Sequence, residues 1–564
     1  MKIKLHFYPF KVAALTAALI FFNQCSRNPV TGKRQIVLMS ESQEIALGAE
    51  SNPQVLAEFG EYADSNMQRY INDIGQRMAK ISHRPNLEFH FKVVDSDVVN
   101  AFALPGGYIY FTRGIFAHFN NEAQLAGVLG HEIGHVTARH GVSQQTKQMG
   151  GQLILIGAMI ASPKLAQFGE QLSQGMQLLF LKFGRDDESQ SDKLGVEYSS
   201  KIGFDANYMA DFFLTLNRLG GGDDGTQRVP SFLSTHPDPV DRNKKVQAMA
   251  QDFQAKHPGN FIVNRDGYLK MIDGILYGED PNQGFVENNV FYHPQLKFQF
   301  PIPTGWKYQN SPSQFQMASA DQKAMMIMTL APEKTLAEAA TNFIQKNKLR
   351  GLSQQNTTIN GLPAIVQVAD QVQDAQQQQV QSQAATANQM QKNPEKTTSR
   401  PNQPIEPKDP NAPKQPQSRP QSTPQSVPQQ TPQSSPQQAP AQPSQAQPSG
   451  QAQQAATVRI ITTFIQYNGM IYMIHGVSES PNFASYEPTF SNTMRNFRVL
   501  TDPAKLNVKP EKVRIQTTYS EATLSEILRG YGTPEKRLKE LAILNGMELT
   551  ERVPRGTLIK TIVK

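Results

Sequence analysis

His131-Glu132-Ile133-Gly134-His135 constrains this chain more than any other stretch. Two histidines four residues apart lie one turn apart on one helix face, where both can bind one metal ion. The glutamate between them is then placed to take a proton from water. The pattern demands a helix, and its flanks predict one. Asn121 can cap the amino end, and Gln124 three residues on completes a capping-box-like pair. Ala123, Leu125, Ala126, Val128, Leu129, Ile133 and Val136 recur at helical spacing, and Gly141 marks a stop. So apolar a helix is expected to be buried, and its two histidines need a third ligand to close a site.

The two standard places for that ligand differ in spacing. A third histidine six residues after the second, behind a glycine, is excluded. Ala138 stands where the glycine would be, Gly141 stands where the histidine would be, and His140 comes one residue early. The other place is a carboxylate on a later helix. Downstream, Glu188 and Asp192 are four apart and share one helix face. The same residues also read as an acidic helix start favoured by the helix dipole, and spacing alone does not separate the two. His83, His90 and His118 read as packing residues, and His140 as the dipole-favoured end of the histidine helix.

Several separated segments together resemble one family. They are Asn28 to Gln35, Ser42 to Gly48, Asn100 to Gly107, His131 to His140, Glu188 with Asp192, and Ser234-Thr235-His236-Pro237 followed by Arg242. In this order they are similar to the gluzincin zinc peptidases that include the CAAX prenyl endopeptidases and the periplasmic beta-barrel-assembly-enhancing protease. The match runs over residues 26 to 275, and its amino end is most like the bacterial lipoprotein branch. The resemblance implies one Zn2+ per chain held by His131, His135 and Glu188, with Glu132 as general base and later proton donor. It also implies that Asp192 orients a ligand imidazole, and that His236 stabilises the oxyanion or takes the fourth zinc position at rest. Arg242 is expected to order the loop that carries His236. Ser191 departs from the family, which usually has alanine before that aspartate. Tyr108 to Thr112 reads as a strand, and with Gly106, Gly107 and Tyr108 as substrate-binding residues it is expected to pair edge-on with an extended substrate.

The amino terminus predicts export. Lys2, Lys4 and Lys11 precede an apolar run from Val12 to Phe22, too short to span a bilayer, so residues 1–24 read as a signal peptide. Cys25, the single cysteine, forms no internal disulfide and is the expected lipid attachment point, which predicts a periplasmic, outer-membrane-anchored protein. A net charge of +7 spread over 564 residues, without basic-aromatic clusters, argues against a nucleic-acid partner. An amphipathic stretch between Ala158 and Gly184 is expected to be a helix packed as core or poised as a lid.

Taken together, a multidomain fold is expected. A mainly α-helical zincin protease domain with a small edge sheet spans 25–275, and a split α+β docking domain spans 285–370 and 456–500. A disordered Gln/Pro-rich insertion occupies 371–455. The docking domain is faintly similar to the PsbP sheet-and-helix fold. Residues 510–564 resemble a βααβ LysM module, which implies a peptidoglycan partner, although Glu521-Ala522 replaces the usual glycine-aspartate before the first helix. The function expected is a zinc endopeptidase acting on unfolded or misassembled envelope proteins. The alternative is a non-catalytic holdase or assembly factor on the same fold.

Overall fold

A computed structural model of the chain describes residues 25–37, 39–150, 183–221, 232, 235–236, 239–371 and 458–564. The expected signal peptide, nearly all of the amphipathic stretch before Phe183, and the Gln/Pro-rich insertion after Gln371 lie outside the described residues.

The amino-terminal part is built on helices. Strands β1 (Cys25–Arg27) and β2 (Arg34–Ile36) form a short antiparallel ladder in which the backbone of Cys25 pairs with Ile36. Helix α1 (Glu41–Phe59) starts at a full capping box between Ser40 and Gln43. Helix α2 (Ser65–Ile81) is capped by Asp64 and buries Met67, Ile71, Ile74 and Met78, the helical spacing of a core-facing stripe. A three-stranded sheet follows, of β3 (His90–Val94), β4 (Ala101–Leu104) and β5 (Tyr108–Thr112), in the order β3-β5-β4. Next come α3 (Arg113–His118), the histidine helix α4 (Glu122–Thr137) and α5 (His140–Gly150). After them come α6 (Arg185–Lys201), α7 (Asn207–Leu219), α8 (Pro239–Lys256) and α9 (Arg265–Met271).

Helix α4 is buried at every position from Ala123 to Thr137. Its cap is Asn121, whose side chain accepts from Gln124 N, but the Gln124 side chain reaches back one residue further, to Asn120 N. The helix does not stop at Gly141. It breaks at Ala138-Arg139, where Arg139 takes a left-handed φ of 59°, and α5 begins at His140. A glycine was not needed because the break is held by tertiary bonds. Asn28 donates to Ala138 O, Arg84 donates to Val136 O, and Arg139 pairs with the sealed Glu44.

Packing of α4 on α6 depends on absent side chains. A Cβ on Gly130 would stand 3.0 Å from Gly195 O, and one on Gly195 would stand 3.1 Å from His131 N. The two backbones therefore approach far closer than ordinary helices do, which brings the α6 carboxylates against the α4 imidazoles.

The second part is sheet-rich. A four-stranded sheet contains β7 (Phe285–Glu287), β8 (Val290–His293), β9 (Phe298–Pro301) and β17 (Arg498–Val499), in the order β17-β9-β8-β7. A seven-stranded antiparallel sheet runs β10 (Lys307–Asn310), β11 (Gln314–Ala318), β12 (Ala324–Ala331), β16 (Met470–Glu479), β15 (Val458–Tyr467), β14 (Leu362–Gln371) and β13 (Leu349–Ile359). Apolar clusters cover both of its faces. One holds Phe298, Phe315 and Tyr472 with Phe490 of α11 (Phe483–Arg495), and the other holds Ile327 and Ile460 with Phe343 of α10 (Leu336–Lys346). Gln371 pairs directly with Val458, so the Gln/Pro-rich segment leaves from the tip of the β14–β15 hairpin.

The carboxy-terminal segment has the elements β18 (Glu511–Thr517), β19 (Ala522–Thr523), α12 (Leu524–Gly530), α13 (Leu538–Leu544), β20 (Arg552–Val553) and β21 (Leu558–Val563). Strand β18 pairs with β21 and, on its other side, with β6 (Leu276–Tyr277). Leu528, Leu541, Leu544 and Ile559 belong to the same apolar cluster as Phe119, Leu125 and Leu129 of the helical part. The segment therefore shares the core that carries α4.

Candidate active site

Helix α4 presents His131 and His135 on one face, and their Nε2 atoms lie 3.0 Å apart. Helix α6 brings Glu188, whose carboxylate oxygens lie 3.5 Å from His135 Nε2 and 3.8 Å from His131 Nε2. His236 places its Nδ1 2.9 Å from Glu188 Oε1 and 3.4 Å from His131 Nε2. One ligand atom from each of the four lies within 4.8 Å of the other three, and all four residues are buried. Four donors of this kind, three imidazoles and one carboxylate, form the set that a zinc ion takes.

Glu132 sits beside them, 1% exposed, with neither carboxylate oxygen hydrogen-bonded among the described residues. Burial raises its pKa above the ordinary value. His236 Nε2 stands 3.7 Å from its Oε1, but a buried acid that accepts no hydrogen bond is costly, so these oxygens facing a donor cluster fit a site that receives a cation and its reactants.

Asp192 accepts from His131, Oδ1 to Nδ1 at 3.0 Å, which leaves Nε2 free to point at the cluster. Arg242 grips Asp192 with two bonds, Nη2 to Oδ1 at 2.6 Å and Nε to Oδ2 at 2.9 Å, and reaches Glu188 at 2.8 Å. Its guanidinium also stacks over Phe213. Only one long contact, 3.5 Å, goes to His236 O, so Arg242 braces the two carboxylates more than it orders the His236 loop. Burial alone would raise the Asp192 carboxyl, but Arg242 and His131 outweigh it and hold it well below the usual range.

Three expectations change. Strand β5 is not an edge. It is bonded on one side to β3 in parallel and on the other to β4 antiparallel, so the outer strands are β3 and β4. Gly106 and Gly107 approach backbone closely, but the backbone is the chain's own. A Cβ would meet Glu44 O at 2.8 Å from Gly106, and Glu88 O at 2.3 Å from Gly107. Tyr108 stacks on His90. Gly106 and Tyr108 pack against α1, and Gly107 packs against the backbone of Glu88.

His140 is the third change. It opens α5, with Nδ1 3.1 Å from His135 Nδ1, and so belongs to the site. The other histidines stay outside the cluster. His118 bonds to Gly114 O with its pKa pushed down to about 4 by burial, and His83 bonds to Tyr198.

Periodicity offered no signal for Glu44, Arg84 and Arg139. They form a sealed ion cluster in which Glu44 pairs with Arg84 at 2.7 Å and Arg139 at 2.8 Å. Phe183 lays its ring 4.0 Å from that of His135. With Leu104, Pro105 and Val142, residues Glu44, Arg139 and Phe183 line a small pocket between β4 and the end of α4.

Comparison with known proteins agrees with this geometry. The model of peptidase family M48 matches residues 65–250, which span every part of the cluster. Residues 65–250 of this chain are thus similar to peptidase family M48. The beta-barrel assembly-enhancing protease of Yersinia pestis is 30% identical over 264 residues, 45% of this chain and 53% of that protein. Its namesake in Escherichia coli K12 is 29% identical over 243 residues, 41% of this chain and 49% of that one. The mitochondrial metalloendopeptidase OMA1 of Arabidopsis thaliana is 32% identical over 169 residues, 29% of this chain and 32% of that one. The chain thus spans about half or less of the length of these relatives. The solution structure of PsbP from Synechocystis sp. PCC 6803 aligns with 39% of this chain and 98% of its own length, at 8% identity and a TM-score of 0.21.

Proposed function

We propose that this chain is a zinc endopeptidase whose ion is held by His131, His135 and Glu188. The observation that carries the reading is the convergence of those donors beside a buried Glu132 whose oxygens accept no hydrogen bond among the described residues. When bound, zinc is a Lewis acid that polarises a carbonyl and brings the pKa of water to about 7. The chain supplies the rest. Glu132 accepts a proton from the attacking water and later delivers it to the departing amine. Asp192, gripped by Arg242, holds His131 with Nε2 unprotonated. His236, with Nδ1 beside Glu188, would be within reach of the ion as a further ligand, and its ring can donate to the developing oxyanion. The free edge of β4, Ala101–Leu104, is the place for an extended substrate to pair, with a side chain entering the pocket beside His135.

The substrates we propose are unfolded or misassembled proteins of the cell envelope. The reading draws on the printed names of the bacterial relatives and on the exported character of the amino terminus. Attachment to the outer membrane through Cys25, and to peptidoglycan through residues 510–564, belong to the same proposal. No helix among the described residues is long and apolar enough to cross a membrane. The test is to measure zinc and the cleavage of an unfolded protein by the purified chain and by Glu132→Gln. The variant is expected to keep its zinc and to lose cleavage by about 100- to 10,000-fold. Undiminished cleavage by the variant would overturn the role of Glu132.

A further inference from the structure

We infer that His140 is a positioning residue that sets the proton on His135, through a relay whose far nitrogen faces Gln190 and, at 3.7 Å, Asp187. The inference rests on the zinc reading above. His135 can offer Nε2 to a metal only if its proton sits on Nδ1, and a buried N–H needs an acceptor. The polar atom beside Nδ1 is His140 Nδ1, at 3.1 Å. It accepts only if the His140 proton is on Nε2, and that Nε2 lies 3.0 Å from Gln190 Oε1. Ser191 Oγ, 3.2 Å from His140 Nδ1, donates to the same acceptor and biases it the same way. His140 and Ser191 are 3% and 0% exposed, so water does not compete.

The opposite arrangement, with each proton moved one nitrogen along, would put hydrogen on His135 Nε2 and close it to a metal. The chain of acceptors selects the competent tautomer, as Asp192 does for His131. Helix α6 thus orients both imidazoles of α4, one through Asp192 and the other through Gln190 and Ser191 acting on His140.

Charge explains why the group directly behind His135 is an imidazole and the carboxylate of Asp187 stands one step further out, partly exposed. The buried site already carries the carboxylates of Glu132, Glu188 and Asp192 against the guanidinium of Arg242, a balance that a divalent cation completes. A further carboxylate behind His135 would leave a net buried charge, which is expensive. A second imidazole supplies an acceptor without one. Ser191, where the family usually has alanine, thereby acquires a role in this chain.

The experiment measures zinc affinity by chelator competition for the full chain and for His140→Phe, Gln190→Met and Ser191→Ala. It also records the d–d absorption of the cobalt-substituted proteins, which reports ligand geometry and is insensitive to fold stability as such. His140→Phe is expected to bind zinc about 10- to 100-fold more weakly, with a shifted cobalt spectrum. Gln190→Met should shift both in the same direction by less, and Ser191→Ala by least. Should His140→Phe fail to fold, the Gln190 and Ser191 variants carry the test. Parental zinc affinity and cobalt spectra in all folded variants would overturn the relay. A parent chain that binds no zinc would overturn the metal reading beneath it.

Discussion

Arg242 shows how much one side chain holds in this site. It is 5% exposed, and its guanidinium faces Asp192 and Glu188, which are 2% and 3% exposed. Removing it leaves two buried carboxylates without their cation. Arg242→Leu is therefore expected to destabilise the zinc-free protein by about 3–5 kcal/mol, read from its urea unfolding midpoint. Arg242→Lys should recover only part, because an ammonium cannot make the two parallel bonds to Asp192. A midpoint unchanged in Arg242→Leu would mean that Asp192 and Glu188 are protonated or hydrated in the free protein. At this scale the donors were legible. His131, His135, Glu188 and Asp192 each sit four residues from a like partner, a spacing that a helix turns into a shared face. The relay and the Glu44 cluster were not. Gln190 and Arg84 are ordinary polar residues in the chain, and their partners lie 50 and 40 positions away. His140 was misread because its role follows from the backbone break at Arg139, and the sequence pointed to a break at Gly141 instead.

Among the elements, the histidine helix, the carboxylate helix and most strands fall where patterning places them, because burial of one face leaves a period in the chain. Strand order leaves none. Tyr108 to Thr112 has the apolar run of any buried strand, and whether it lies at the centre or the edge depends on β3 and β4 closing on either side. The same logic applies to the β14–β15 hairpin, where the register is set by a rung of charges that pattern alone does not reveal. Asp370, fully buried, lies opposite Arg459 on one neighbouring strand and Arg350 on the other, with bonds of 2.8 Å and 3.1 Å. Burial alone would raise the Asp370 carboxyl, but the hydrogen bonds from Arg459 and Arg350 outweigh it and hold it below the ordinary aspartate value. A carboxyl with a depressed folded pKa stabilises the folded state above its unfolded pKa. That contribution is lost as pH falls through the folded value. The sheet is thus expected to lose stability below about pH 4, and Asp370→Asn should remove that part of the acid dependence. Parallel stability-versus-pH curves for the two proteins between pH 2 and 6 would exclude a role for this rung.

On the scale of the whole molecule, the carboxy-terminal segment is joined to the catalytic core by a lysine. Lys560 is fully buried, and its Nζ donates to Ala117 O, Phe119 O and Leu544 O at 2.8, 2.6 and 2.9 Å, while burial pushes its pKa well below the ordinary lysine value. The first two carbonyls end α3, immediately before the Asn121 cap of the histidine helix, and the third ends α13. One side chain therefore ties the last strand of the chain to the segment that starts α4. Around it, Arg218 donates to Met547 O, Arg265 donates to Leu558 O, and β18 extends from β6. Lys560→Met keeps the apolar stem and strands three buried acceptors, each of which costs on the order of 1–3 kcal/mol when left unmade. The expected result is a lower thermal midpoint with loss of bound zinc on the same transition, because the cap of α4 and the shared core go together. Truncation before residue 510 should have the larger effect, since it removes Leu528, Leu541, Leu544 and Ile559 from the shared apolar cluster and uncovers α3 and α7, against which α13 packs. A separate glycan-binding module hung on a linker would behave otherwise. Its removal would leave the melting of the M48-like domain and its zinc content untouched, and that result would show that residues 510–564 serve binding alone and not the site.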